Sequence, residues 1–205
     1  MEQAVRKIAL LGMGTVGGGV YEIIEKQKEE MPFKIGAALE VVKVLVRNKA
    51  KYADRIPAEK LTDVWEDVIG DDSIDIVVEV MGGIEPARTY IKAALEKGKH
   101  VVTANKDLMA MHGHELLELA GEHHCDLLFE AAVAGGIPII RPLKQCLAGN
   151  HMSEVMGIVN GTTNFILTKM TQDGMEFKDA LALATELGYA ETDPTADIEG
   201  LDAGR

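Results

Sequence analysis

Apolar positions in the 205-residue chain fall into two patterns that take turns along its first two-thirds. Short, nearly uninterrupted apolar runs predict strands over 7–11, 41–46, 74–80, 100–103 and 127–130, of the kind covered by helices on both faces of a parallel sheet. Between them, apolar residues three and four apart predict helices over 16–30, 64–69, 85–97 and 112–124. Ile91, Ala94 and Leu95 form the stripe of the third, and Gly98 stops it. Pro32 and Gly36 close the first helix and open a loop, and 50–61 reads as a variable connection. The expected fold is α/β, a Rossmann-type doubly wound parallel sheet in the order 3-2-1-4-5. In that order the strand ending at Thr103 is the fourth and neighbours the first.

The pattern changes after Glu130. A small-residue stretch over 130–138 leads into a helix carrying Leu143 and Leu147. A strand follows over 155–159, then a helix through Phe165 and Leu167, then a helix over 176–187 with Phe177, Ala180, Leu181 and Ala184 on one face. This α+β region is expected to be a separate domain, with 1–140 before it and 141–205 within it.

Composition narrows the function. A net charge of −12 and a pI near 4.9 argue against a nucleic-acid partner, which needs clustered Lys and Arg. Neither a membrane-spanning run nor a leader is recognised, so a cytoplasmic location is expected. Cys125 and Cys146 are too far apart for a zinc motif and are expected to be buried thiols. His123 and His124 are adjacent and point in different directions, which disfavours a joint metal site. No repeat with a solenoid period occurs.

The chemistry begins at Gly12-Met13-Gly14-Thr15-Val16-Gly17, which follows a strand and opens a helix. In a dinucleotide site Gly12 permits the tight turn, Gly14 lets backbone approach the pyrophosphate, and Gly17 lets the helix pack on the strand. Amides at the head of that helix then face the phosphates. Arg47, after the second strand, stands where an NAD-binding fold places an acid for the ribose hydroxyls, which favours NADP and leaves NAD open. Lys49 and Lys51 fit either phosphate support or plain surface. Lys106, after Thr103-Ala104-Asn105, is placed to face the reacting end of a cofactor, or is a solvated lysine. The tail over 188–202 carries Glu191, Asp193, Asp197, Glu199 and Asp202 without a cation. It lacks the ligand spacing and central glycine of an EF-hand, and reads as a solvated loop or as a seat for an ammonium group.

Taken in order, the glycine motif, Thr103-Ala104-Asn105-Lys106, the stretch 130–138, Asn160-Gly161-Thr162-Thr163-Asn164, Gly188-Tyr189-Ala190-Glu191 and the segment from Asp193 through Ala203 resemble homoserine dehydrogenase. The resemblance implies NAD(P)-linked interconversion of L-homoserine and L-aspartate 4-semialdehyde, a step toward threonine and methionine. It implies Lys106 as a catalytic lysine, and Gly161, Thr162, Glu191, Asp197 and Asp202 as substrate-binding residues. It implies Gly12, Gly14, Thr15, Val16, Gly17, Arg47, Gly82, Thr103, Asn105 and Lys106 at the cofactor. It also implies a monovalent cation such as sodium at Glu130, Val133, Gly135 and Ile137, held mainly by backbone oxygens. On this reading 141–205 is the start of a substrate-binding and dimerisation domain, and the full-length protein is a homo-oligomer. The resemblance places a second catalytic lysine immediately after Arg205, so the chain is expected to be an amino-terminal portion that turns over poorly by itself. A non-catalytic NAD(P)-binding sensor or pairing module is the competing reading. A phosphorylating aldehyde dehydrogenase is disfavoured because no cysteine is placed as an acyl nucleophile.

Overall fold

The computed structural model describes residues 4–190 and 193–205. The chain divides into two compact units, the first ending at Cys146 and the second comprising Leu147–Arg205.

The first unit is built on a six-stranded sheet. Its strands are β1 (Val5–Leu11), β2 (Ala38–Leu45), β3 (Leu61–Thr62), β4 (Ile76–Glu79), β5 (His100–Thr103) and β6 (Leu127–Leu128), in the order β3-β2-β1-β4-β5-β6 with every pairing parallel. Helices α1 (Thr15–Lys26), α2 (Met31–Ile35), α3 (Glu66–Ile69), α4 (Ala87–Glu96) and α5 (Lys106–Glu122) connect them. Successive side chains of β1 point to opposite faces. Ala9 and Leu11 join Val77, Val101, Ile91, Leu95, Leu108 and Leu116 in one core, on the side of α4 and α5. Ile8 and Leu10 join Val44, Val78, Ile24 and Ile56 in the other, on the side of α1. Burial on both faces is why these strands read as continuous apolar runs.

Register levels the carboxyl ends of the central strands: Leu11 stands opposite both Leu45 and Glu79, and Glu79 opposite Thr103. The turns that follow β1, β2, β4 and β5 therefore start in one row.

Four expectations need correction. The stretch read as a connection runs into β3 at Leu61, and a strand of two residues is too short to show a period. It is tied in by the Val46 amide donating to the Thr62 carbonyl at 2.9 Å and by the Thr62 hydroxyl donating to Asp67 at 2.5 Å. As a result the strand at Ile76–Glu79 is the fourth and pairs with β1, while His100–Thr103 is the fifth and lies one strand further out. The first helix ends at Lys26 instead of running to 30, and Pro32, lacking an N–H, stands in the first turn of the separate α2, which Gly36 ends in the left-handed region at φ 78°. Cys146 is exposed, and Cys125 is partly buried with its Sγ 3.7 Å from the Leu95 carbonyl.

One ion pair between helices has a readable pH signature. Glu115 on α5 accepts from Arg88 at 2.7 Å and from Lys92 at 2.6 Å, both on α4. The Lys92 and Arg88 hydrogen bonds pull its carboxyl from the ordinary 4.5 down to about 2. A depressed carboxyl contributes stability that is complete above the unfolded value and fades as pH falls through the folded one. The stability gap between the parent chain and Glu115→Gln, followed by urea denaturation, is therefore expected to be full above pH 4.5 and to close toward pH 2.

In the second unit α6 (Gly161–Asp173) and α7 (Phe177–Glu186) pack through Ile166, Ala180 and Ala184, joined by Ala190. Two short helices follow, α8 (Thr195–Ile198) and α9 (Leu201–Gly204). The fourth correction falls here. Residues 151–160 form no strand, and Val155, Met156, Ile158 and Val159 are all exposed. Their β-branched, apolar character suits a strand, but a strand requires an edge to pair with, and among the described residues none pairs with them. No helix among the described residues is long and apolar enough to cross a membrane.

Candidate functional site at the carboxyl ends of the strands

The glycine turn leaves β1 at Gly12, whose φ of +97° is open to glycine and strained for other residues. A Cβ there would lie 2.9 Å from the Val80 carbonyl oxygen, and a Cβ on Gly17 would overlap the Gly12 carbonyl oxygen. These two glycines let α1 start directly against the ends of β1 and β4. Gly14 differs, since nothing lies within 4 Å of where its Cβ would stand. It is the N-cap of α1, and the Gly18 amide donates to its carbonyl at 2.8 Å. The first-turn N–H groups at Thr15 and Val16 have no partner within the helix, and the dipole adds positive potential there. Open space over exposed backbone donors fits a pyrophosphate.

Arg47 is exposed just beyond β2. Of its basic neighbours, Lys49 pairs with Asp63 at 2.8 Å and the Lys51 ammonium sits 5.5 Å from the centre of the Tyr52 ring. Both have local roles of their own.

The turns after β4 and β5 are joined by a residue that the sequence reading passed over. Glu79, the last residue of β4, is fully buried. One of its carboxylate oxygens accepts from the Met81 amide at 2.8 Å and the Gly82 amide at 3.3 Å, and the other accepts from the Thr103 hydroxyl at 2.6 Å. The Thr103 hydroxyl accepts in turn from the Asn105 amide at 3.0 Å. Asn105 donates from Nδ2 to the Gly83 carbonyl at 2.6 Å, and its Oδ1 accepts from the Leu108 amide at 3.2 Å, capping α5. Lys106, partly buried, is the first residue of that helix. An acid set among apolar residues, three positions before Gly82-Gly83, was the signal available in the sequence.

Beyond β6, Glu130 opens a short 3-10 helix, Glu130–Ala132, and Val133, Gly135 and Ile137 follow it in a run of bends and turns. Burial pushes the Glu130 carboxyl up, but hydrogen bonds from the amides of Arg141, Ile139 and Ile140, at 2.7, 2.5 and 2.9 Å, together with the Arg141 charge, leave it below its ordinary value. Its side chain thus holds the start of the following helical turn, Pro142–Cys146, in place. Among the described residues, no group of three or more His, Cys, Asp or Glu side chains is placed to hold a metal ion.

The second unit has a cavity of about 530 Å³ lined by Asn160, Thr162, Tyr189, Asp193, Asp197 and Asp202, together with the backbone at Gly161 and Gly188. Asn160, the N-cap of α6, organises it. Its Oδ1 accepts from the Thr163 amide at 2.8 Å, and its Nδ2 donates to Asp197 at 2.8 Å and to Asp202 at 2.9 Å. The Thr162 hydroxyl donates to the Tyr189 carbonyl at 2.6 Å. The Thr195 hydroxyl and amide hold the Asp193 carboxyl below its ordinary value. Three carboxylates around one cavity favour a cationic guest. Asn160, which bridges two of them, was not among the expected site residues, and Glu191 lies outside the described residues.

Comparison with known proteins agrees along the chain. Residues 12–130 match the family model described as homoserine dehydrogenase, NAD binding domain, and residues 138–205 match the one described as homoserine dehydrogenase. The homoserine dehydrogenase of Bacillus subtilis is 50% identical over 200 residues, covering 97% of this chain and 46% of the relative. That of Mycobacterium tuberculosis H37Rv is 52% identical over 197 residues, covering 96% and 44%. Among solved structures, a homoserine dehydrogenase from Thiobacillus denitrificans superposes with a TM-score of 0.83 at 47% identity, covering 98% of this chain and 47% of that one. A hyperthermophilic archaeal homoserine dehydrogenase in complex with NADPH gives 0.77 at 32% identity, covering 97% and 66%. The chain spans about half the length of the curated relatives it matches.

Proposed function

The chain belongs to the homoserine dehydrogenase family and carries its NAD(P)-binding domain, and from that premise we propose that it supplies the cofactor site and part of the substrate site for interconverting L-homoserine and L-aspartate 4-semialdehyde. NADP is the preferred cofactor, with Arg47 beside the 2′-phosphate, and NAD is the weaker alternative. The amides at Thr15 and Val16, the open face of Gly14 and the turn at Gly82 take the rest of it. When bound, the cofactor supplies or accepts the hydride.

The chain's own residues do the remainder. Lys106 donates a proton to the carbonyl oxygen as it becomes an alcohol, and its charge favours the developing alkoxide. Asp197 and Asp202, gathered by Asn160, and Glu191 receive the substrate ammonium, with Gly161 and Thr162 at the cavity wall. A monovalent cation such as sodium is assigned to Glu130, Val133, Gly135 and Ile137 and held mainly by backbone oxygens, the Glu130 carboxylate already accepting three amides. Residues through Cys146 take the cofactor role, and those from Leu147 begin the substrate-binding and dimerisation part of a homo-oligomeric enzyme.

The observation that carries the substrate reading is the Asn160 bridge, which holds two carboxylates on one cavity. Calorimetric titration of L-homoserine into the NADP-saturated chain is expected to show binding. Asn160→Asp replaces the shared donor with a further carboxylate that repels the two it held, and should weaken homoserine by about tenfold or more while leaving NADPH affinity unchanged. NADPH binding without any homoserine binding in the parent chain would favour a cofactor sensor.

A further inference from the structure

The row of turns at the strand ends contains one buried titratable group for which the proposed chemistry has no use, Glu79. We propose that Glu79 is a positioning residue that sets where Lys106 stands, by binding the turn after β4 through one carboxylate oxygen and the turn after β5 through the other. The inference rests on the assignment of Lys106 as the catalytic lysine.

Three features carry it. First, Glu79 is fully buried, and such a carboxylate is strongly unfavourable unless its oxygens are satisfied. Here they accept the amides of Met81 and Gly82 on one side and the Thr103 hydroxyl on the other. Second, the connection continues without a break to the catalytic candidate. The Thr103 hydroxyl receives the Asn105 amide, and Asn105 both caps α5 and clasps the Gly83 carbonyl. Lys106 is the next residue, so its backbone is fixed by a chain of hydrogen bonds that begins at Glu79. Third, Thr103 and Asn105 are 1% and 6% exposed, with their polar atoms directed into this network. Their part at the cofactor is thereby the placement of Lys106 and of the glycine pair at 82–83. Direct side-chain contact is left to other residues.

A purely structural Glu79 would stabilise the carboxyl end of the sheet without governing Lys106, and the two roles separate experimentally. Competitive acetylation with acetic anhydride, quantified by mass spectrometry, gives the reactivity of Lys106 relative to the exposed Lys28 in the same molecule. The variants are Glu79→Gln, the near-isosteric Thr103→Val, which keeps the β-branched shape but breaks the chain at its hydroxyl, and Thr103→Ser, which restores the hydroxyl. In Glu79→Gln and Thr103→Val the Lys106 to Lys28 ratio is expected to change by about fivefold, the equivalent of one net hydrogen bond, and in Thr103→Ser to return to the parent value. Circular dichroism identifies which variants are folded, and Thr103→Val carries the test if Glu79→Gln does not fold. An unchanged ratio in folded Thr103→Val overturns the proposal. A parent chain that fails to bind NADPH overturns the functional reading instead, and the acetylation ratio judges Glu79 independently of that result.

Discussion

Lys106→Ala, in the chain extended to the length of its relatives, is expected to lower turnover by about 100- to 10,000-fold, the usual contribution of a positioned general acid or base. NADPH affinity should be largely kept. Lys106 stands at the first position of a 17-residue helix. A cation at the positive end of a helix dipole opposes the field, at a cost of about 0.3–1 kcal/mol. The helix dipole therefore offers no reason for a lysine here, and the dipole contribution to any stability change on its removal should stay within about 1 kcal/mol. Steady-state kinetics together with a thermal melt checks both halves. Unchanged turnover would remove Lys106 from the chemistry, and a large loss of stability would mean that the residue is structural.

Gly17→Ala has the second large effect. Its Cβ would overlap the Gly12 carbonyl oxygen and lie 3.2 Å from the Val80 side chain, and the closest neighbour is backbone that has no rotamer to change. Forcing one carbon into such a contact costs about 1–3 kcal/mol or more and displaces α1 from the strand ends. Urea denaturation should show that loss, and NADPH titration should show binding abolished. Gly14→Ala is the contrasting case. With nothing within 4 Å of the new methyl, stability should shift by no more than about 0.5 kcal/mol, while NADPH binding weakens because the methyl occupies the approach of the pyrophosphate. Equal stability losses at both positions would contradict the separate roles given to the two glycines.

The parts of this molecule that were legible in the sequence are those whose signal is local and repeated. Burial on two faces produced apolar runs at β1, β2, β4 and β5, and the requirements of a tight turn and a close helix approach left Gly12 and Gly17. The parts that escaped depend on partners distant in sequence. Leu61 and Thr62 form a strand only because β2 lies beside them, and two residues show no period. Missing that strand shifted the numbering and placed His100–Thr103 next to β1, where Ile76–Glu79 pairs. Glu79 was absorbed into an apolar run because its partner Thr103, 24 residues away along the chain, becomes a neighbour only in the folded sheet. Asn160 escaped likewise, since Asp197 and Asp202 lie 37 and 42 residues away along the chain. Residues 151–160 failed in the opposite direction: their composition suits a strand, yet composition cannot supply the edge a strand pairs with.

In the function proposed, this chain furnishes the cofactor site and the acidic amino-acid site of one dehydrogenase. This function is tested most directly by following NADPH absorbance on addition of L-aspartate 4-semialdehyde, with the chain extended to the length of its relatives and, as control, the same protein carrying Lys106→Ala. Oxidation of NADPH with formation of L-homoserine is expected in the first, and near-complete loss of that oxidation in the second. A correctly folded extended protein that binds NADPH yet leaves it unoxidised in the presence of the semialdehyde would contradict it.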